Sequence, residues 1–277
     1  MTIAKRTLGR TGYEATIIGL GGEGILRTYG CETRAYELIN RAIDLGLNYF
    51  ESARAYSGSE AYYGPALKER RKEIFLTSKS HARDKVGALD HLRQTLTNMN
   101  TDHLDLWQVH DVRTDEEIEE IFGPRGAIHA FLEAKEKGLV RFIGVTGHHD
   151  PLITKRCIEI FDFDTVLIPV NPAEPVYKSY LHHVMPVAVK KGMGVIAMKV
   201  YLRGFVSKLP RHTNMEPFFR FALTQPVTLA VIGCDDIEQL EQNVKFAAAF
   251  KPMEEDEIQD LIDEVYPYGR KLMYYKP

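Results

Sequence analysis

Short apolar, β-rich runs alternate with amphipathic stretches from one end of the chain to the other. The runs are ATIIGLGG at 15–22, LNYFES at 47–52, EIFLTSK at 73–79 and HLDLWQVH at 103–110. VRFIGVTG at 140–147, DTVLIPVN at 164–171, GVIAMK at 194–199 and VTLAVIG at 227–233 complete the set. Each is short, β-branched or aromatic and bounded by turn residues, as buried strands are. Between them lie helical patterns such as TRAYELINRAIDLG, KVGALDHLRQTLTNMN and DDIEQLEQNVKFAAAF. In the last, Ile237, Leu240, Val244 and Ala248 recur at helical spacing, and Asp235 or Asp236 suits the N-cap.

Eight strands alternating with helices predict a parallel sheet, either a closed barrel or a doubly wound sheet. The spacing decides between them. From Glu51 to Lys79, to His110 and on to Thr146, one unit recurs roughly every 30 residues without a break for a second domain. The pattern predicts a single (β/α)8 TIM barrel over residues 1–277. The opening KRTLGRTGYEAT, with Gly9 and Gly12 between short runs, predicts a β-hairpin placed to cap the barrel floor. Beyond Phe250 the chain adds one further helix and a basic, tyrosine-rich tail.

Composition narrows the function. The 277 residues are 44% hydrophobic and 26% charged, with a net charge of −3 and the two signs interleaved. No basic face for nucleic acid is expected. No apolar run approaches the ~20 residues of a membrane span, and the first residues lack the apolar core of a signal peptide. Cys31, Cys157 and Cys234 are widely spaced and odd in number, which reads as small buried hydrophobes in a reduced, cytoplasmic protein. Composition leaves the oligomeric state open.

In a barrel of this kind, active sites gather at the carboxyl ends of the strands. Glu51, Lys79, His110, Thr146, Asn171 and Lys199 close apolar runs there, and Tyr56 lies just past the first. A phenol is too weak an acid to give up a proton efficiently at neutral pH. A nearby ammonium lowers its pKa, a carboxylate holds that ammonium, and an imidazole orients a carbonyl oxygen. Such a group protonates an oxygen while a cofactor supplies hydride, which no side chain can do.

The chain resembles the aldo-keto reductases through LGRTGYEATIIGLGG, NYFESARAYSGSEAYYGPALK, EIFLTSK, HLDLWQVH, KEKGLVRFIGVTGHHD and AVIGCDDIEQLEQN. The resemblance implies a nicotinamide-dependent carbonyl reductase on a (β/α)8 barrel. It places the proton donor on Tyr56, the lysine on Lys79 and the histidine on His110. The family aspartate falls on Glu51, whose extra methylene must fold back or push the lysine outward if the two are to pair. The implied NAD(P)H site draws on Gly22, Thr146, Gly147, Asn171, Met198 and Lys199, and near the last strand on Gly233, Cys234, Asp235, Asp236, Gln239 and Asn243. Thr146-Gly147-His148 replaces the family's Ser-Asn pair, Leu167 its glutamine and Met198 its stacking tyrosine; Lys199 is placed to meet the pyrophosphate. Asp235 and Asp236 stand where NADPH-specific relatives carry basic residues. They would repel a 2′-phosphate and accept from ribose hydroxyls, which allows NADH use; equally, they would simply cap a helix.

The substrate implied is a small aldehyde or ketone. Two other functions fit the same residues: a nicotinamide-binding regulatory barrel with little turnover, and a non-redox lyase or epimerase using Lys79 as base. His148 and His149 read as loop or substrate-mouth residues, His182 and His183 as helix surface, and Trp107 as core. The insertion DVRTDEEIEEIFGPRGA after His110 is expected to form one wall of the pocket. The tail carries no cysteine, so no iron–sulfur cluster is expected.

Overall fold

The computed structural model describes residues 2–209 and 214–277. A two-stranded hairpin, β1 (Lys5–Thr7) antiparallel to β2 (Glu14–Thr16), precedes the barrel. The barrel strands are β3 (Ile18–Gly24), β4 (Tyr49–Glu51), β5 (Phe75–Ser80) and β6 (Leu104–Val109). They continue with β7 (Val140–Thr146), β8 (Thr165–Pro169), β9 (Gly194–Met198) and β10 (Leu229–Cys234). All pair in parallel in sequence order, and β10 returns to β3 to close the barrel. The expected fold is present, with one boundary moved. Ala15 and Thr16 pair with β1, so the first barrel strand starts at Ile18.

Strand alternation sorts the core into two layers. Tyr49, Phe75, Leu106, Leu167, Ile196 and Leu229 point inward and pack with Leu8 from the hairpin. Phe50, Leu76, Trp107, Val166, Ala197 and Ala230 point outward and meet the helices. Trp107 is fully buried, its ring centroid 3.7 Å from that of Phe131 on the helix Ile128–Glu136. The hairpin seals the amino end. A Cβ on Gly9 would lie 2.1 Å from the backbone nitrogen of Gly194, so the turn can sit against the start of β9 only with glycine there.

Around the barrel run the helices Glu32–Asp44, Lys85–Met99 and Ile237–Ala248, close to the bounds their periodicity implies. Asp84 caps the second through the Gly87 N–H, and Asp236 caps the third through the Gln239 N–H at 2.8 Å. After the barrel come Glu255–Val265 and a short turn, Gly269–Leu272. The tail then folds back, with Tyr275 and Lys276 both buried. Lys276 Nζ donates to Glu174 Oε2 at 2.7 Å and to the carbonyls of Tyr177 and Lys178, while the Tyr275 hydroxyl donates to Glu174 Oε1 at 2.7 Å. This anchors the tail to the loop after β8. Cys157 and Cys234 are buried as expected; Cys31 is only partly covered, because it sits in the loop just before a helix. No helix among the described residues is long and apolar enough to cross a membrane.

Candidate active site

Strand parity carries three ionisable groups inward on or just past three adjacent strands. Glu51 stands two residues past Tyr49, Lys79 four past Phe75, and His110 four past Leu106, so each shares the inner face with its apolar partner. The register staggers them: Glu51 pairs level with Thr77, and Lys79 level with Gln108. They therefore rise together towards the carboxyl rim.

There Lys79 Nζ lies 2.8 Å from Glu51 Oε1 and donates to the Ser52 carbonyl at 2.9 Å. Its third neighbour is the Tyr56 hydroxyl at 3.5 Å. Lys79 is 0% exposed, so the longer glutamate side chain reaches the ammonium without pushing it out of the barrel. Tyr56 is set by the turn after β4, where its N–H donates to the Ala53 carbonyl. Gly22 lies beneath it: a Cβ there would come within 2.8 Å of Tyr56 Cδ2 and of the Glu51 carbonyl. His110 faces Tyr56 edge-on, ring centroids 5.9 Å apart at 82°. Its Nδ1 is buried without a partner, which leaves Nε2 as the nitrogen for the cavity.

The charges follow from burial and pairing. Burial opposes the Lys79 ammonium, but Glu51 and the Tyr56 oxygen together hold its pKa above the ordinary value. Burial, then Lys79 and neighbouring histidines, keeps His110 well below the imidazole range, hence neutral. Tyr56 departs from expectation. Burial raises its pKa; Lys79 pulls it down, but Glu51 and Glu23 push it up, and the net direction is upward. The phenol is therefore protonated at neutral pH rather than an incipient phenolate.

These groups open into one cavity of about 1760 Å³. Of the residues the sequence proposes for a cofactor, Gly22, Thr146, Met198, Lys199, Gly233, Asp235, Asp236, Gln239 and Asn243 line it. Three others do not. Gly147 is buried against Thr154, where a Cβ would lie 1.9 Å from Oγ1. Asn171 is fully buried and its amide is committed to the Lys199 carbonyl, the Tyr275 hydroxyl and the Ala173 N–H. Cys234 faces away, its thiol receiving the Asn243 amide at 3.6 Å. Asn243 itself also accepts from the Tyr201 hydroxyl at 2.7 Å.

Several lining residues had little sequence signal. Arg27, on the loop after β3, places its guanidinium carbon 5.0 Å from the Tyr56 ring centroid and bonds Glu23 at 2.8 Å. Glu23 also reaches Arg203, another lining residue, at 3.3 Å. Lys199 lies over the rings of Tyr274 and Tyr275, at 5.8 and 5.0 Å. Burial brings its pKa down to about 8. Asp111 and Arg113, from the insertion after His110, form part of the wall as expected. His148 and His149 line the mouth, and His182 and His183 are exposed on the short helix Tyr180–His183. Among the described residues, no cluster of histidine, cysteine and carboxylates could hold a metal ion.

The family model described as Aldo/keto reductase family matches residues 17–217, a span that includes Glu51, Tyr56, Lys79 and His110. The chain belongs to the aldo/keto reductase family. Among curated relatives, it is 26% identical to the uncharacterized oxidoreductase YqkF of Bacillus subtilis, covering 91% of this chain and 94% of that one. It is also 26% identical to L-galactose dehydrogenase of Arabidopsis thaliana, over 74% of this chain and 68% of that protein. Among solved structures, aldo-keto reductase AKR11C1 of Bacillus halodurans in its holo form superposes with a TM-score of 0.80 at 22% identity. That match covers 95% of this chain and 96% of the other, and establishes a shared aldo/keto reductase fold.

Proposed function

We propose that this chain reduces an aldehyde or ketone to the alcohol, with NAD(P)H as hydride donor and Tyr56 as proton donor. The observation that carries this reading is the buried series Glu51–Lys79–Tyr56, at 2.8 and 3.5 Å, opposite a neutral His110. The Tyr56 hydroxyl gives its proton to the carbonyl oxygen. The fixed Lys79 ammonium stabilises the phenolate left behind, and Glu51 keeps that ammonium charged and in place. His110 donates from Nε2 to the same oxygen and orients it. Because Lys79 is held as an ammonium, it suits this supporting role and not that of a base in a lyase or epimerase.

The residues present suit a nicotinamide dinucleotide. Met198 and Leu167 offer an apolar surface near the Tyr56 end, and Lys199, Arg27 and Arg203 supply cations for a pyrophosphate. Glu23 links this basic stretch to Gly233, whose Cβ would lie 2.8 Å from it, and so to the acidic end at Asp235. When bound, the cofactor supplies the hydride. A 2′-phosphate at that end would meet the Asp235 carboxylate, which favours NADH over the NADPH present in an aldo-keto reductase structure from Klebsiella pneumoniae.

The test is titration of NADH and NADPH by quenching of protein fluorescence, followed by a panel of aldehydes and ketones. Tyr56→Phe should bind cofactor and lose about 10²–10⁴-fold in rate. Cofactor binding with no turnover across the panel would instead mark a regulatory barrel.

A further inference from the structure

The relay leaves a second polar pair in the same cavity without a role. Asp111, directly after His110, holds a left-handed backbone at φ +53°. Such a conformation costs a non-glycine residue free energy and persists only where its surroundings enforce it. Here they do. The Asp111 N–H donates to Thr146 Oγ1 at 2.8 Å. Arg83 donates to the carbonyls of both His110 and Asp111 at 2.9 Å. Arg113 Nε donates to Asp111 Oδ2 at 2.8 Å.

The other carboxylate oxygen, Oδ1, is buried with no hydrogen bond, and His148 Nδ1 stands 3.3 Å from it. His148 comes from the loop after β7, lines the cavity and packs edge-on against the tail residue Tyr275, ring centroids 6.1 Å apart. Burial also holds this imidazole neutral. The facing carboxylate, 3.3 Å away though outside hydrogen-bond geometry, favours the imidazole's single proton on Nδ1, the tautomer that leaves Nε2 with a lone pair. Tyr56 and His110 both offer protons to the reacting oxygen, whereas His148 offers an acceptor. An acceptor in a substrate cavity selects a ligand with an O–H to give.

We propose that the Asp111–His148 pair is a specificity subsite that receives a hydroxyl of the substrate. The preferred substrates are then hydroxyaldehydes and hydroxyketones rather than simple alkyl carbonyls. Asp111 is a positioning residue that fixes the tautomer, and His148 makes the contact. The inference rests on the carbonyl reductase reading.

The experiment measures kcat/KM for matched pairs, glyceraldehyde against propanal and hydroxyacetone against acetone, in wild type, His148→Phe and Asp111→Asn. Asparagine tolerates the left-handed backbone, so the second variant preserves the loop if the first fails to fold. The wild type should favour the hydroxylated member of each pair, and both variants should cut that ratio about tenfold. An unchanged ratio in the variants, or wild-type indifference between pair members, overturns the subsite while leaving the reductase reading intact. Bound cofactor with no turnover of either series overturns both.

Discussion

Glu51 and Lys79 form a buried ion pair at 2.8 Å in which the carboxylate is only half used. Oε1 meets the ammonium, while Oε2 is buried without a hydrogen-bond partner. The lysine is better served, with the Ser52 carbonyl at 2.9 Å and the Tyr56 hydroxyl beyond. In the proposed mechanism the pair supports Tyr56, with Glu51 acting through its charge and its single Oε1 contact.

Glu51→Gln should leave the ammonium buried without a counter-charge. Removing one partner of a buried pair costs about 3–5 kcal/mol, to be read from denaturant unfolding at pH 7. Reduction should slow roughly 100-fold, on the scale of acid–base contributions. The folded pKa of Lys79 lies above its unfolded value. Its stabilisation is thus complete below the ordinary lysine pKa and is lost as pH rises through the folded value; in Glu51→Gln that alkaline loss should be smaller. An unchanged rate and pH profile would remove Glu51 from the mechanism.

Gly22→Ala should act on Tyr56 through packing. The added Cβ would sit 2.8 Å from the Tyr56 ring and from the Glu51 carbonyl, and overpacking of this kind costs about 1–3 kcal/mol. Gly19→Ala makes a matched control, since its Cβ would press on Tyr49 at the same 2.8 Å, deeper in the barrel. Both variants should lower the melting temperature, and Gly22→Ala alone should reduce kcat, by tenfold or more.

Lys199 should couple cofactor affinity to pH. Its pKa is brought down to about 8 by burial, and a bound anion would raise it again. Between those two values the dissociation constant should climb by up to about tenfold per pH unit, because binding takes up a proton. Fluorescence titrations at pH 7, 8 and 9 should show this rise in wild type and a flat, weaker response in Lys199→Met.

The two acidic residues after β10 should separate. Asp236 Oδ1 accepts from the Gln239 N–H and caps the helix, so Asp236→Ala should cost about 1 kcal/mol of stability. Asp235 engages its neighbours through its backbone, donating to Gln239 and accepting from Arg34, and its carboxylate is available to the cavity. Asp235→Ala should lower the dissociation constant for NADPH relative to NADH several-fold, with little change in melting temperature. Equal ratios in wild type and Asp235→Ala would dissociate that carboxylate from cofactor choice.

The sequence by itself determined the barrel and its reactive rim. Period-two alternation in NYFE, FLTSK and LDLWQVH sends Tyr49 and Glu51, Phe75 and Lys79, Leu106 and His110 to one face. A repeat of about 30 residues then brings consecutive strands side by side. Both are short-range properties, so local pattern was enough. What only the tertiary structure decided lies in contacts across the sequence. The Asn171 amide is consumed by a tail residue, and His148 meets Asp111 from a different strand's loop. The upward shift of Tyr56 has the same origin. From sequence, a lysine beside a tyrosine predicts a lowered pKa, but how much water the folded rim excludes depends on every loop around it, and that burial outweighs the single charge.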